Sequence, residues 1–134
     1  YTSLGLSVIE GRALLTGKVR TRRMRLDAVR LAWQATGIKE VINEIVVTDK
    51  GGVGEYARDA WVTTQLMGRL LFDGEVRAIN YSIETVAGTV YLMGIAQNRA
   101  ELDRVTNHAR NIAYVRRVMN YVRFKDDPAR NNKT

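Results

Sequence analysis

An α+β protein made of two tandem copies of one small αββαβ domain is what this sequence predicts, and three observations predict it. Residues 11–45 recur without a gap as residues 88–122. The second copy alternates helical and extended hydrophobic patterns in the order α-β-β-α-β. The chain has 134 residues, room for one ordinary domain or two very small ones. An offset of 77 positions is too long for a solenoid repeat, so two copies of a domain is the simplest reading.

The duplication is visible residue by residue. Gly11-Arg12-Ala13-Leu14-Leu15-Thr16-Gly17 aligns with Gly88-Thr89-Val90-Tyr91-Leu92-Met93-Gly94, and Ile38, Val41, Asn43 and Ile45 fall on Val115, Val118, Asn120 and Val122. In the second copy, residues 58–73 read as a helix, with Asp59 a candidate N-cap and Gly74 just past the end. Two extended runs, 79–86 and 90–96, flank Ala87-Gly88-Thr89 and form a hairpin. A second helix covers 99–113 with Asn98 as its cap. A closing strand at 117–124 alternates Val118, Asn120, Val122 and Phe124.

The first copy repeats this order but starts late. Residues 4–9 and 13–19 form its hairpin around Glu10-Gly11-Arg12, 22–35 its helix and 41–47 its closing strand. The helix expected before that hairpin would end before Tyr1, so the first domain lacks its N-terminal helix in this chain and the reading sets that helix upstream. The domain plan is therefore 1–47 for the first copy, 48–57 as a linker, 58–124 for the second copy and 125–134 as a flexible polar tail. The linker holds Gly51, Gly52 and Gly54, but no Gly-Lys-Ser/Thr follows, so it reads as a hinge rather than a phosphate loop.

Composition narrows the functional classes. Hydrophobic residues make up 46% of the chain, as in folded proteins. The absence of cysteine excludes disulfides and cysteine-based zinc sites. No run of about 18 apolar residues offers a membrane-spanning helix. Net charge is +7, and 16 of the 21 basic residues are Arg, a balance suited to a polyanionic partner. No catalytic group appears in both copies. His108 is the only histidine and has no second ligand at metal spacing, so it reads as a half-buried, hydrogen-bonded side chain. No enzyme activity and no cofactor are expected.

The Ile38-Lys39-Glu40-Val41-Ile42-Asn43 ending resembles the closing signature of the BON domain, a bacterial envelope module, and Gly88 to Gly94 resembles its hairpin. Gly54-Glu55 followed by Asp59-Ala60-Trp61-Val62-Thr63-Thr64 is similar to the DolP-like dual-BON lipoproteins of the outer membrane. This resemblance covers nearly the whole chain apart from the tail. It implies an αββαβ fold, no catalysis, and residence in the periplasm at the outer membrane. It also implies that the first helix of the second domain binds anionic phospholipid and that the protein supports envelope integrity. The lipid-anchored N-terminal Cys of such proteins has no counterpart here, and the anchor is expected upstream.

The helix at 58–73 carries the candidate site on its own physical merits. At about 100° per residue, Val62, Leu66, Met67 and Leu70 share the side expected to face the core. Trp61 and Phe72 point the other way, with Leu71 on the border and Arg58 and Arg69 alongside. Aromatic rings that enter the headgroup boundary beside guanidinium groups that meet phosphates are what an interfacial helix needs. The alternative for Trp61 is packing against the other copy or the linker, near Tyr56.

The helix at 22–35 has a core face of Met24, Ala28, Leu31, Ala32 and Ala35. A second apolar stripe, Leu26, Val29 and Trp33, lies beside Arg22 and Arg30. The corresponding positions in the second copy are the polar Asp103, Thr106 and Arg110. Such a stripe calls for a covering surface, and docking on the other copy or a neighbouring subunit is the preferred one. The basic run from Lys18 to Arg25 lies where a strand end meets a helix start, not on a recognition helix, so nucleic acid is not an expected partner. Two function classes remain. One is phospholipid recognition through Trp61, Leu71, Phe72, Arg58 and Arg69. The other is assembly, as a homo-oligomer or within an envelope complex, through Leu26, Val29, Trp33, Arg22 and Arg30.

Overall fold

Each copy of the repeat is built on a three-stranded sheet. The first runs β1 (Ser3–Ile9), β2 (Arg12–Val19), α1 (Arg22–Gln34) and β3 (Glu40–Val47). The second runs α2 (Val53–Leu71), β4 (Tyr81–Val86), β5 (Thr89–Ala96), α3 (Arg99–Arg110) and β6 (Arg117–Phe124). This is a computed structural model, and it describes residues 3–131. The chain divides into two units, Tyr1–Tyr56 and Ala57–Thr134.

The sheets have orders β1-β2-β3 and β4-β5-β6, with an antiparallel hairpin and then a parallel strand. A parallel neighbour requires a crossover, and α1 and α3 supply it. Both hairpins turn on two residues of positive φ, Glu10 and Gly11 in the first and Ala87 and Gly88 in the second. That is the mirror-image turn whose twist matches paired strands. The second glycine of each motif answers a different demand. A Cβ on Gly94 would lie 2.2 Å from the Asn80 carbonyl oxygen, and one on Gly17 would lie 2.0 Å from that of Ser3. No side chain fits where the backbones cross so closely.

The Asn of each closing strand also has a local task. Asn43 accepts a hydrogen bond from the Ile45 amide (3.1 Å), and Asn120 accepts one from the Val122 amide (2.9 Å). Each occupies a backbone donor on an edge strand, which blunts pairing with other chains. Thr21 caps α1 by accepting from the Met24 amide, and Asn98 caps α3 by accepting from the Glu101 amide.

The core of the second unit is the more complete. Val62, Leu66 and Leu70 of α2 pack with Val90 and Leu92 of β5, Val105 and Ala109 of α3, and Ile112. The first unit gathers Leu15, Val19, Ala32 and Ile45, with Ala28, Val29, Val41 and Val47 against them. Beside this smaller core lies an apolar groove of about 290 Å³, lined by Leu4, Leu6, Val8, Leu31, Ala35 and Ile38 among others. In the second unit α2 covers the matching floor.

Several expectations need correction. α2 begins at Val53, not at residue 58, so residues 53–57 are helical. Asp59 therefore lies well inside the helix and caps nothing at its start. It is buried, and it accepts hydrogen bonds from the Ala87 amide (2.8 Å) and the Gly88 amide (3.0 Å) of the hairpin turn. Met67 is exposed, not core, because the helix is rotated toward Val62, Leu66 and Leu70. In α1 the side facing the sheet is Ala28, Val29 and Ala32, so Val29 belongs to the core rather than to an outer stripe. Met24 and Leu31 are exposed. The run expected to start at residue 79 begins at Tyr81, after a 3-10 turn at Ala78–Asn80. Of the tail, residues 125–131 are described. Lys125 donates its amide to Ala96 (2.8 Å), and a 3-10 turn spans Pro128–Asn131. Residues 132–134 lie outside the described residues.

Candidate functional site

α2 owes its outward face to the depth at which its inward face is held. Val62, Leu66 and Leu70 are all but inaccessible to solvent, and the Asp59 carboxylate ties the same side to the β4–β5 turn. Rotation about the helix axis is fixed by these four residues. Trp61, Leu71 and Phe72 consequently face solvent with 44%, 71% and 94% of their surface exposed. Arg58 and Arg69 are exposed as well. The five residues singled out from the sequence are thus all accessible along α2 and at its C-terminal end.

The two ends of this ridge are built differently. At the first, the guanidinium of Arg58 sits 4.8 Å from the centroid of the Tyr114 ring. Trp61 meets the same ring edge-on, centroids 5.8 Å apart and planes at 78°. Tyr114 lies in the loop between α3 and β6, where hydrophobic pattern gives no signal for it. The one signal for it in the sequence is the repeat itself, which sets Tyr114 against Gly37.

At the other end, Arg69 and Phe72 border a shallow concavity with Asp73, Arg104 and His108. Asp73 accepts two hydrogen bonds from Arg104 (3.0 and 2.9 Å), one from the Glu75 amide (2.9 Å), and lies 2.7 Å from His108 Nε2. The Arg104 pair, then His108 and the Glu75 amide, hold the Asp73 carboxyl well below the usual carboxylate range. In the first turn of α3, buried Glu101 accepts from the Tyr81 hydroxyl (2.5 Å), the Gln97 amide and side chain (3.0 and 2.6 Å) and the Arg77 amide (3.1 Å). Burial pushes this carboxyl up, but those bonds more than offset it, and it stays below its ordinary value. Burial and the negative neighbour together push the Tyr81 phenol far up. These are structural polar clusters. Among the described residues, no group of three His, Asp or Glu side chains could hold a metal ion.

The second candidate surface is less coherent. Leu26 and Trp33 are about half exposed, and Arg22 and Arg30 are exposed beside them, but Val29 has turned to the core. The basic run leading into α1 is partly neutralised. Lys18 pairs with Glu55, and Arg23 pairs with Asp27 at 3.2 Å. No helix among the described residues is long and apolar enough to cross a membrane.

Two α+β units of duplicated β-β-α-β topology, the second opening with α2, define a tandem repeat of one small domain. The BON domain family matches residues 1–49 and 58–126, and the chain belongs to that family. It is 42% identical over 131 residues to the "Uncharacterized protein in gshII 5'region" of Anaplasma centrale, covering 97% of this chain and 87% of that one. It is 34% identical over 114 residues to the 21 kDa hemolysin of Actinobacillus pleuropneumoniae, covering 85% and 58%. It is 31% identical over 117 residues to the outer membrane lipoprotein DolP of Haemophilus influenzae, covering 87% and 60%. The chain spans less than two thirds of the length of these last two relatives.

Proposed function

We propose that this chain is a non-catalytic periplasmic module associated with the outer membrane, which docks reversibly on anionic phospholipid through α2 and so supports envelope integrity. The observation that carries the reading is the exposed Trp61, Leu71 and Phe72 ridge flanked by Arg58 and Arg69. Transfer of each large apolar side chain from water contributes about 1.5–3 kcal/mol, and each basic residue near an anionic surface about 1 kcal/mol. Neither contribution alone holds a protein on a bilayer. Together they give affinity in the reversible range. Kinship with an outer membrane lipoprotein supports the location.

Co-sedimentation with vesicles of phosphatidylglycerol and phosphatidylcholine tests this reading. Binding is expected to rise with the phosphatidylglycerol fraction and to fall about tenfold in Trp61→Ala. Unchanged binding by that variant would show that another face is used.

A second reading is assembly through α1, favoured by the exposure of Leu26 and Trp33. Light scattering distinguishes it. Self-association that Trp33→Glu abolishes supports it, whereas a monomer indifferent to Trp33→Glu removes it.

A further inference from the structure

The loop that carries Tyr114 is strained in a way its repeat partner avoids. Tyr114 has φ +75, and Gly37, which occupies the same position in the first copy, has φ +84. Only glycine adopts this left-handed conformation without steric cost, and a bulky aromatic is a genuine outlier there. Ring burial does not explain the exception, because Tyr114 is 57% exposed. What the ring does touch is the start of the ridge. The Arg58 guanidinium lies over its face, and Trp61 makes a T-shaped contact with it.

That arrangement has consequences for recognition. A guanidinium held over an aromatic ring by cation–π attraction keeps its charge, and Arg58 remains exposed, so it is available to phosphate oxygens. An exposed tyrosine has an apolar body and a polar tip, the shape that sits at headgroup level. Arg58 by itself is a flexible side chain, and stacking on Tyr114 restricts it beforehand.

We infer that Tyr114 is a third anchor of the lipid-facing ridge, holding Arg58 and Trp61 in place and itself entering the headgroup layer of an anionic bilayer. This rests on the phospholipid reading proposed above. The left-handed loop residue is the means by which α3 and β6 deliver an aromatic ring to a helix distant in sequence.

Glycine at this position separates binding from folding. In Tyr114→Gly the strain is relieved, so the thermal midpoint is expected to hold or rise while affinity for phosphatidylglycerol vesicles falls about fivefold. Tyr114→Phe is expected to bind within about twofold of the parent, since the ring persists. Tyr114→Asn, a residue that tolerates the left-handed region, serves as a second ring-deleted variant. In a Trp33→Phe background Trp61 is the sole indole. Its quenching by brominated lipid is expected to weaken in both ring-deleted variants.

Ring-deleted variants that bind and quench like the parent, while Trp61→Ala binds weakly, overturn the inference and leave the phospholipid reading standing. Loss of thermal stability in step with binding in both ring-deleted variants also overturns it, because Tyr114 would then be structural. A parent protein that ignores phosphatidylglycerol vesicles removes both readings.

Discussion

Arg104 grips Asp73 with two parallel hydrogen bonds, Nε to Oδ2 at 3.0 Å and Nη2 to Oδ1 at 2.9 Å, and so fastens the turn after α2 to the outer side of α3. The contact anchors the chain immediately beyond Leu71 and Phe72, where the ridge ends. A carboxyl whose pKa is depressed on folding stabilises the native state above its unfolded value and loses that contribution as pH falls. Asp73 is depressed, chiefly by Arg104 and next by His108. The second unit is therefore expected to keep this contribution above about pH 4 and to lose it progressively below. Urea unfolding as a function of pH checks the sign. In Asp73→Asn the acid-side slope should be shallower, and an identical slope would mean that other carboxylates govern it.

Asp59 is expected to matter more than its mid-helix position implies. Its carboxylate satisfies the Ala87 amide and the buried Gly88 amide. Asp59→Ala leaves both donors without that acceptor, a loss of about 2–3 kcal/mol. For a unit of this size, a thermal midpoint lower by about 10 °C or more follows. Calorimetry measures it directly. A change under 2 °C would indicate that water replaces the carboxylate at the turn.

The two cores offer a matched comparison. Leu15 and Leu92 are equivalent positions of the repeat, but Leu92 lies within a core closed by α2, whereas Leu15 borders the apolar groove. Leu92→Ala removes contacts on all sides and leaves a void, at a cost of about 3–4 kcal/mol. Leu15→Ala has fewer contacts to lose and is expected to cost about 2 kcal/mol or less. Hydrogen exchange followed separately over each unit reads the two values. Equal costs would mean that something covers the groove in solution.

Much of this architecture was legible because it is written in local signals. The hairpin turns at Glu10-Gly11 and Ala87-Gly88, the Asn98 cap and the periodic strand at 117–124 depend on neighbours within a few residues. The start of α2 was not. Asp59 has the chemistry of an N-cap, and Gly51, Gly52 and Gly54 look like loop residues, so periodicity alone sets the start too late. What decides the matter is a tertiary acceptor role for Asp59, fulfilled 28 and 29 residues away. The same limit applies to the site. Helical angle assigns Trp61 and Phe72 to an outer face and Leu71 to its border, but it does not separate Met67 from the core, whose centre lies at Val62, Leu66 and Leu70. Val29 packs against the core for the same reason, since a wheel fixes relative directions and not which direction the sheet lies in. Tyr114 reaches the ridge through a fold-dependent contact that no local pattern encodes.

The apolar and ionic parts of the ridge should separate under salt. At 0.15 M ionic strength the screening length is about 8 Å, and at 1 M about 3 Å, so exposed Arg58 and Arg69 lose most of their attraction to a charged surface as salt rises. Phe72, 94% exposed, partitions by hydrophobic transfer, which salt does not screen. Arg69→Gln is therefore expected to weaken vesicle binding about fivefold at low salt and to approach the parent near 0.5 M. Phe72→Ala is expected to lose about tenfold at both ionic strengths. Titration of vesicles at two salt concentrations measures all four values. A Phe72→Ala defect that vanishes at high salt would mean that the ring acts by positioning Arg69 and not by entering the bilayer, and the ridge would then be an electrostatic surface with an aromatic brace.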